Sequence, residues 1–247
     1  MELDRVYNSD CLVGMKKIKD SSVSLILQDP PYNTTSCDWE WDIMTKIDEF
    51  WNEWWRILKD DGVIVMTASQ PFTTDLINSQ RKNFKYEWIW EKSMGGGFLL
   101  ANKIPLKRHE NILVFYKKPG TYNQQKTKGK AYSATNKSGG GMIGKDSAKV
   151  GGFKTVNNGD RCPTTVLQYK SETGLHPTQK PVSLFRYLIQ TYSNKGDIVF
   201  DGFMGSGTTA VSAITEDRRY IGFELGRENY GIVQKRIKDA NKLRGKK

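Results

Sequence analysis

Asp197-Ile198-Val199-Phe200-Asp201-Gly202-Phe203-Met204-Gly205-Ser206-Gly207-Thr208-Thr209-Ala210 carries a strand, a glycine turn and the start of a helix in fourteen residues. Ile198, Val199 and Phe200 form a short apolar run between two acids, the pattern of a buried strand. Gly202, Gly205 and Gly207 then make a turn, and Ala210, Val211 and Ile214 recur at helical spacing. Arg219-Tyr220-Ile221-Gly222-Phe223-Glu224 follows as a second strand that closes on an acid. Strand, glycine turn, helix, strand and acid make a parallel βαβ unit of the kind that binds an adenosine-containing ligand. Glycines let the backbone approach closely, the helix N-terminus offers free N–H groups to an anion, and the acid takes ribose hydroxyls. Glu224 stands 17 residues after Gly207, close to the spacing such units need. A nucleoside triphosphate is the competing ligand, but Thr208 occupies the position where a phosphate loop carries its lysine, so the anion reads as a single carboxylate.

A second loop of unusual chemistry follows another strand. Val23, Leu25 and Leu27 alternate, Ile26 fills the opposite face, and the run ends at Asp29-Pro30-Pro31-Tyr32. Two prolines stiffen this loop and hold the Asp29 carboxylate and the Pro30 carbonyl at the sheet edge as two aimed acceptors. Such a pair suits a primary amine with two N–H groups to give, and Tyr32 adds a face for a ring to stack on. The exocyclic amino group of a nucleobase has this description. A strand ending in Asp-Pro-Pro is also an ordinary turn, so the motif gains its weight from what surrounds it.

The remaining chain supplies the other elements of one α/β domain, which its 247 residues are enough to build. Arg5 to Asn8 is a short strand, and Leu12, Met15 and Ile18 lie at helical spacing. Ile47, Phe50, Trp51, Trp54, Ile57 and Leu58 mark a helix, with aromatics that read as core packing rather than a ligand cage. Val63 to Thr67 is a strand, and Phe72, Leu76 and Ile77 mark a helix. Phe84 to Trp90 and Glu110 to Tyr116 are strands expected to pair antiparallel across Gly95-Gly96-Gly97. Val182, Phe185, Leu188, Ile189 and Tyr192 form a helical stripe, and a last helix begins near Arg227. The loop from Asn33 to Asp42 is polar apart from Trp39 and Trp41 and reads as mobile until something binds.

Composition limits the partners. The net charge is +11, and it is local: from Arg81 to Lys170 the chain holds 18 Lys and Arg against 5 Asp and Glu. A basic stretch interleaved with Tyr122, Tyr132, Phe153 and Tyr169 is the footprint expected for a nucleic-acid backbone. Cys11, Cys37 and Cys162 are far apart with no CxxC pair, which argues against a metal or redox centre and for reduced thiols. No run approaches the ~18 apolar residues of a membrane span, and the chain is expected to be cytoplasmic, with no membrane partner.

Taken together, DPPY at residues 29–32, HPTQKP at 176–181 and DGFMGSGTTA at 201–210 followed by RRYIGFE resemble the motif set of the S-adenosylmethionine-dependent amino-methyltransferases of DNA. Their order is similar to the permuted β class, in which the catalytic loop precedes the cofactor loop. The resemblance covers residues 4 to 118 and 174 to 240. It implies a Rossmann-like α/β fold with a seven-stranded, mainly parallel sheet and an antiparallel edge hairpin, the strand at Val6 lying beside the one ending at Glu224. It implies a catalytic domain of residues 1–118 and 171–247 and a basic target-recognition insertion at 119–170. The catalytic set would be Asp29, Pro30, Pro31 and Tyr32. The S-adenosylmethionine set would be Asp10, Asp29, Thr178, Lys180, Asp201, Phe203, Gly205, Ser206, Gly207, Thr208 and Glu224. Within it Asp10 would meet the adenine amino group, Phe203 would pack beside the methionine portion held by Gly205 to Thr208, and Thr178 and Lys180 would face the methionine carboxylate.

The implied partner is double-stranded DNA, methylated on adenine N6 at a short sequence after base flipping. Cytosine N4 is the nearest alternative, with serine more usual at the Asp29 position in such enzymes. A silent DNA-binding protein on the same scaffold, a protein-glutamine methyltransferase and an RNA substrate are further readings. The sequence leaves open the oligomeric state, a homodimer included, and whether a cognate restriction enzyme exists on a separate chain.

Overall fold

A computed structural model describes residues 1–32, 46–135, 154–172, 174 and 179–245. The expected loop from Asn33 to Asp42, with Trp39 and Trp41, lies outside the described residues, as do Phe153, His176 and Thr178. The chain divides into two compact units, one of residues 1–123 and 165–247, the other of residues 124–164.

In the larger unit the elements follow in the order β1 (Arg5–Tyr7), α1 (Cys11–Met15), β2 (Val23–Gln28), α2 (Ile47–Ile57), β3 (Leu58–Ala68), α3 (Phe72–Ser79), β4 (Phe84–Gly96) and β5 (Lys107–Phe115). The smaller unit carries the two-stranded pairs β6 (Thr127–Lys128) with β9 (Asp160–Arg161) and β7 (Tyr132–Thr135) with β8 (Lys154–Asn157). The larger unit resumes with β10 (Val166–Gln168), α4 (Val182–Tyr192), β11 (Ile198–Asp201), α5 (Thr208–Thr215), β12 (Arg219–Phe223) and α6 (Arg227–Arg244).

The main sheet has the strand order β1-β12-β11-β2-β3-β5-β4-β10. Every neighbouring pair is parallel except those made by β5, which runs antiparallel to both β3 and β4. All seven expected strands are present, Val6 lies opposite Gly222, and the expected hairpin is β4–β5. An eighth strand, β10, pairs parallel with β4, so the hairpin is covered rather than left at the edge. This also narrows the compact unit inside the expected 119–170 insertion. Asn123 donates its N–H to Thr191 at 2.7 Å and Thr165 accepts from Ile89 at 2.7 Å, tying both flanks to the larger unit.

Alternation along the strands explains the layers. Leu25, Leu27, Val63, Val65, Ile112 and Val114 face one core with Leu184, Phe185 and Leu188 of α4 and Ala210, Ala213 and Ile214 of α5. Ile26, Ile64, Met66, Leu113 and Phe115 face the other core, with Leu12 and Met15 of α1 and Phe50, Trp51, Trp54 and Ile57 of α2. Both faces are therefore closed by helices, as a buried parallel sheet requires. Trp51 and Trp54 are fully buried, each burial of this kind stabilising by roughly 2–3 kcal/mol. The Trp51 indole N–H is satisfied by the Ser79 hydroxyl at 2.9 Å.

Candidate active site

Strand order reverses between β11 and β2, parallel neighbours paired at Val199–Leu25 and Phe200–Ile26. From β11 the chain passes to β12 on one side, and from β2 it passes to β3 on the other. Loops leaving the carboxyl ends of two such strands part and leave a crevice. Here those loops are the glycine turn after Asp201 and Asp29 to Tyr32, so the topology brings the two sequence motifs together.

The glycine turn is held from several directions. Gly205 and Gly207 have φ of +52° and +86°, left-handed values that side chains rarely adopt. Buried Asp201 accepts from the Phe203 N–H at 2.8 Å and the Thr209 hydroxyl at 2.5 Å. Burial pushes its carboxyl up to about 7 against the pull of those two bonds, and the charges of Asp29 and Glu224 add to the rise. Arg236 of α6 donates to the Ser206 carbonyl at 2.8 Å and hydroxyl at 3.1 Å, and the Thr208 hydroxyl donates to the Lys180 carbonyl at 3.1 Å. The N-terminus of α5, at Gly207, has no side-chain cap and no acid in its first turn. Its unclaimed positive end fits the carboxylate of a methionine moiety, and on this ground the residues present fit S-adenosylmethionine.

Glu224 and Asp10 reach the same sheet edge but are engaged by backbone. Glu224 accepts from the Gly205 N–H at 2.7 Å and the Gly226 N–H at 2.8 Å. A carboxylate retains further lone pairs for hydroxyl donors. Asp10 caps α1, accepting from the Val13 N–H at 3.1 Å. The Asn8 side-chain amide, which sequence reading did not single out, donates to the Glu224 and Leu225 carbonyls at 2.8 and 2.9 Å and stitches the two ends together. Phe203 packs its ring on Phe50, 5.6 Å between centroids.

Asp29 lies in a second cluster that sequence reading saw only in part. Its Oδ1 accepts from the Tyr32 hydroxyl at 2.7 Å and from the Thr67 hydroxyl, and its Oδ2 accepts from the Lys180 ammonium at 2.6 Å. Lys180, which the resemblance places facing the methionine carboxylate, is 6% exposed and so is not the solvated side chain usual in a first turn. Its ammonium instead sits between Asp29 and Glu110, 3.4 Å from the latter. Burial alone would push that ammonium down, but the two carboxylates outweigh it and hold the pKa above the ordinary lysine value. Glu110 is a second acceptor within reach of the single Tyr32 hydroxyl proton, at 3.2 Å, and Lys92 pairs with the same carboxylate. Burial, with Asp29 and Glu110 adding to it, pushes the Tyr32 phenol well above its ordinary range, so it stays protonated and a donor. One face of Tyr32 stacks on Phe72 at 5.6 Å, and Lys180 lies 5.3 Å from its ring centre. Pro30 is buried and Pro31 half-buried. Glu110, Thr67 and Lys92 were missed because they come from β3, β4 and β5, and only the pairing of those strands reveals their proximity.

Among the described residues no group of three or more His, Cys, Asp or Glu side chains could hold a metal ion, and no helix is long and apolar enough to cross a membrane.

Comparison with known proteins identifies the family and the fold. The family model of the N6 and N4 type, described as DNA methylase, matches residues 23–235. The chain is 30% identical over 256 residues to the DNA adenine methyltransferase YhdJ of Escherichia coli strain K12, covering 97% of this chain and 84% of that one. It is 29% identical over 253 residues to the type II methyltransferase M.HpaI of Haemophilus parainfluenzae, covering 94% and 74%. Its fold is similar to that of M1.HpyAVI solved with its methyl donor (TM-score 0.63, 24% identity, 94% and 98% coverage). The PvuII cytosine-N4-specific DNA methyltransferase shares the fold as well (TM-score 0.68, 17% identity, 96% and 90% coverage). The chain belongs to the N6/N4 family of DNA methylases, enzymes that take their methyl group from S-adenosylmethionine.

Proposed function

We propose that this chain methylates the N6 amino group of adenine in double-stranded DNA, at a short specific sequence, on a base flipped out of the helix. The observation that carries the reading is the position of Asp29, an acceptor on a stiff loop at the switch point, beside the glycine turn. Adenine N6 is a poor nucleophile because its lone pair is delocalised into the ring. Accepting from its two N–H groups, the Asp29 carboxylate and the Pro30 carbonyl favour a pyramidal nitrogen and aim the lone pair outward. S-adenosylmethionine, when bound, supplies an electrophilic methyl group. Position and electrostatics then provide most of the rate gain. A base inside a duplex is out of reach, so flipping precedes the step.

Glu110 supplies what this mechanism otherwise lacks. Asp29 accepts from Tyr32, Thr67 and Lys180, which leaves its carboxylate one further acceptor site, and a target amine competes with those donors there. Lys180 and Tyr32 each have Glu110 as a second acceptor within 3.4 and 3.2 Å, so both can move their bonds onto it without leaving a buried group unpaired. Asp10, Glu224 and the turn from Asp201 to Thr208 are the cofactor side of this reading, with Thr178 as a further candidate. Asp29 rather than serine, and the adenine-methylating relative, favour adenine over cytosine N4. Digesting DNA methylated by the purified chain to nucleosides and identifying the product by mass spectrometry tests this: N6-methyl-2′-deoxyadenosine is expected, and N4-methyl-2′-deoxycytidine alone would replace adenine with cytosine. The same DNA, sequenced for modified positions, gives the recognition site.

A further inference from the structure

The β4–β5 hairpin carries an apolar tip that is exposed among the described residues. Met94, Phe98, Leu99, Leu100, Ile104 and Leu106 are all exposed, Phe98 at 63% and Leu99 completely. Exposed apolar groups scattered singly are ordinary, whereas six within thirteen residues form a patch that needs a partner. Phe98–Leu100 form a short 3-10 turn entered through Gly97 at φ +88°, so the tip is a formed structure. Its setting is basic: Lys92, Lys103, Lys107 and Arg108 flank it, and although Glu110 pairs with Lys92 and Glu91 lies 3.5 Å from Arg108, the four cations outnumber these two acids.

We infer that this tip is a wedge that enters the DNA duplex beside the target base and holds the stack open while the base occupies the Asp29 site. This rests on the functional reading above and adds the element that does the opening. Placement supports it. Lys92 and Glu110 stand at the root of the hairpin, and Glu110 belongs to the Asp29 cluster. From Glu110 to Lys107 β5 climbs about 10 Å, and the tip begins just beyond. Apolar side chains inserted between base steps unstack them, while flanking lysines and arginines hold the phosphates. The chief competing occupant is the same tip of a second copy. A two-fold contact would set one cationic rim against an identical one, which like-charge repulsion disfavours, whereas a polyanion complements it.

The test uses the full chain and a duplex oligonucleotide bearing the mapped site, either fully paired or with an abasic position opposite the target. Phe98→Ser combined with Leu99→Ser should lower single-turnover methyl transfer on the paired duplex by about tenfold or more, because the cost of unstacking is no longer offset. On the abasic duplex, where that cost is already reduced, the variant should come within about threefold of wild type. S-adenosylmethionine affinity should be unchanged. An unaltered rate on the paired duplex overturns the wedge, as does an equal loss on both duplexes. A fall in sedimentation coefficient with an unaltered rate would make the patch a contact between copies and overturn it too. Absence of any methyl transfer to DNA by the wild-type chain would instead overturn the functional reading, and the wedge with it.

Discussion

Glu110 and Asp29 divide two donors between them, and that division makes a specific demand on Glu110. Glu110→Gln keeps the shape but removes the second carboxylate facing Lys180, so the ammonium remains on Asp29 and competes with the target amine. Single-turnover methyl transfer should fall by at least about tenfold, with cofactor affinity held. Transfer at the wild-type rate would remove Glu110 from the mechanism. Asp29 was legible in the sequence because two prolines and a preceding strand announce its geometry. Glu110 was not, since a lone acid at the start of an apolar run reads as an ordinary strand end until β5 is known to run against its neighbours. Asp201 gives a separate, pH-dependent expectation. Its folded pKa of about 7 lies above the ordinary carboxyl value, so folding takes up a proton between them. The resulting stability is fully present below the unfolded pKa of about 4 and is lost as pH rises through 7. Asp201→Asn keeps an acceptor for Phe203 and does not ionise. Its stability relative to wild type should therefore rise from pH 4 to pH 7 by up to ~1.4 kcal/mol per pH unit. Urea denaturation of both proteins across that range measures it, and parallel curves would show that Asp201 carries no such shift.

At the scale of elements, the pattern of alternating and helical apolar residues was enough to recover seven strands, because each carries its own burial signal, whereas their order in the sheet is set by pairings that such a pattern does not carry. β10 escaped for a physical reason: Val166-Leu167-Gln168 offers one buried side chain, Leu167, in a polar stretch, and its stability comes from pairing with β4. Helix α1 shows how tightly the elements are fitted near the cofactor edge. Its Gly14 faces the fully buried ring of Phe223 on β12, and a Cβ placed there would lie 2.0 Å from the ring. The ring belongs to a core packed with Tyr7 and Phe200 at 5.7 and 6.0 Å, so it has little room to turn away. Gly14→Ala should therefore destabilise the protein by about 1–3 kcal/mol despite alanine's better helix propensity. Chemical denaturation checks this, and a variant as stable as wild type would mean that α1 can lift from the sheet without cost.

For the whole molecule, the question is where its +11 charge acts. We assign the basic middle of the chain, about residues 119 to 170, to DNA contact and target choice, together with the loop after Tyr32. Its compact part, residues 124–164, is built from two short strand pairs. Within it Lys128 pairs with Asp160, whose carboxyl that lysine holds below the ordinary range, and Arg161 lies over the Tyr132 ring at 5.1 Å. Composition revealed the charge but could not reveal these pairings, because short polar strands leave little periodicity to read. Replacing Lys126, Lys128 and Lys130 together by glutamine removes three positive charges and leaves Asp160 without its lysine. DNA binding should weaken and its dependence on salt should flatten, since each lost phosphate contact releases fewer counterions. The slope of log K against log salt should decrease by up to about 0.9 for each lysine that contacts a phosphate. Affinity for S-adenosylmethionine should hold, because the glycine turn and Glu224 lie elsewhere in the chain. Binding measured by fluorescence anisotropy at several salt concentrations decides the matter. A slope equal to that of wild type would make these lysines a solvated surface and move the phosphate contacts to the bases around the β4–β5 hairpin.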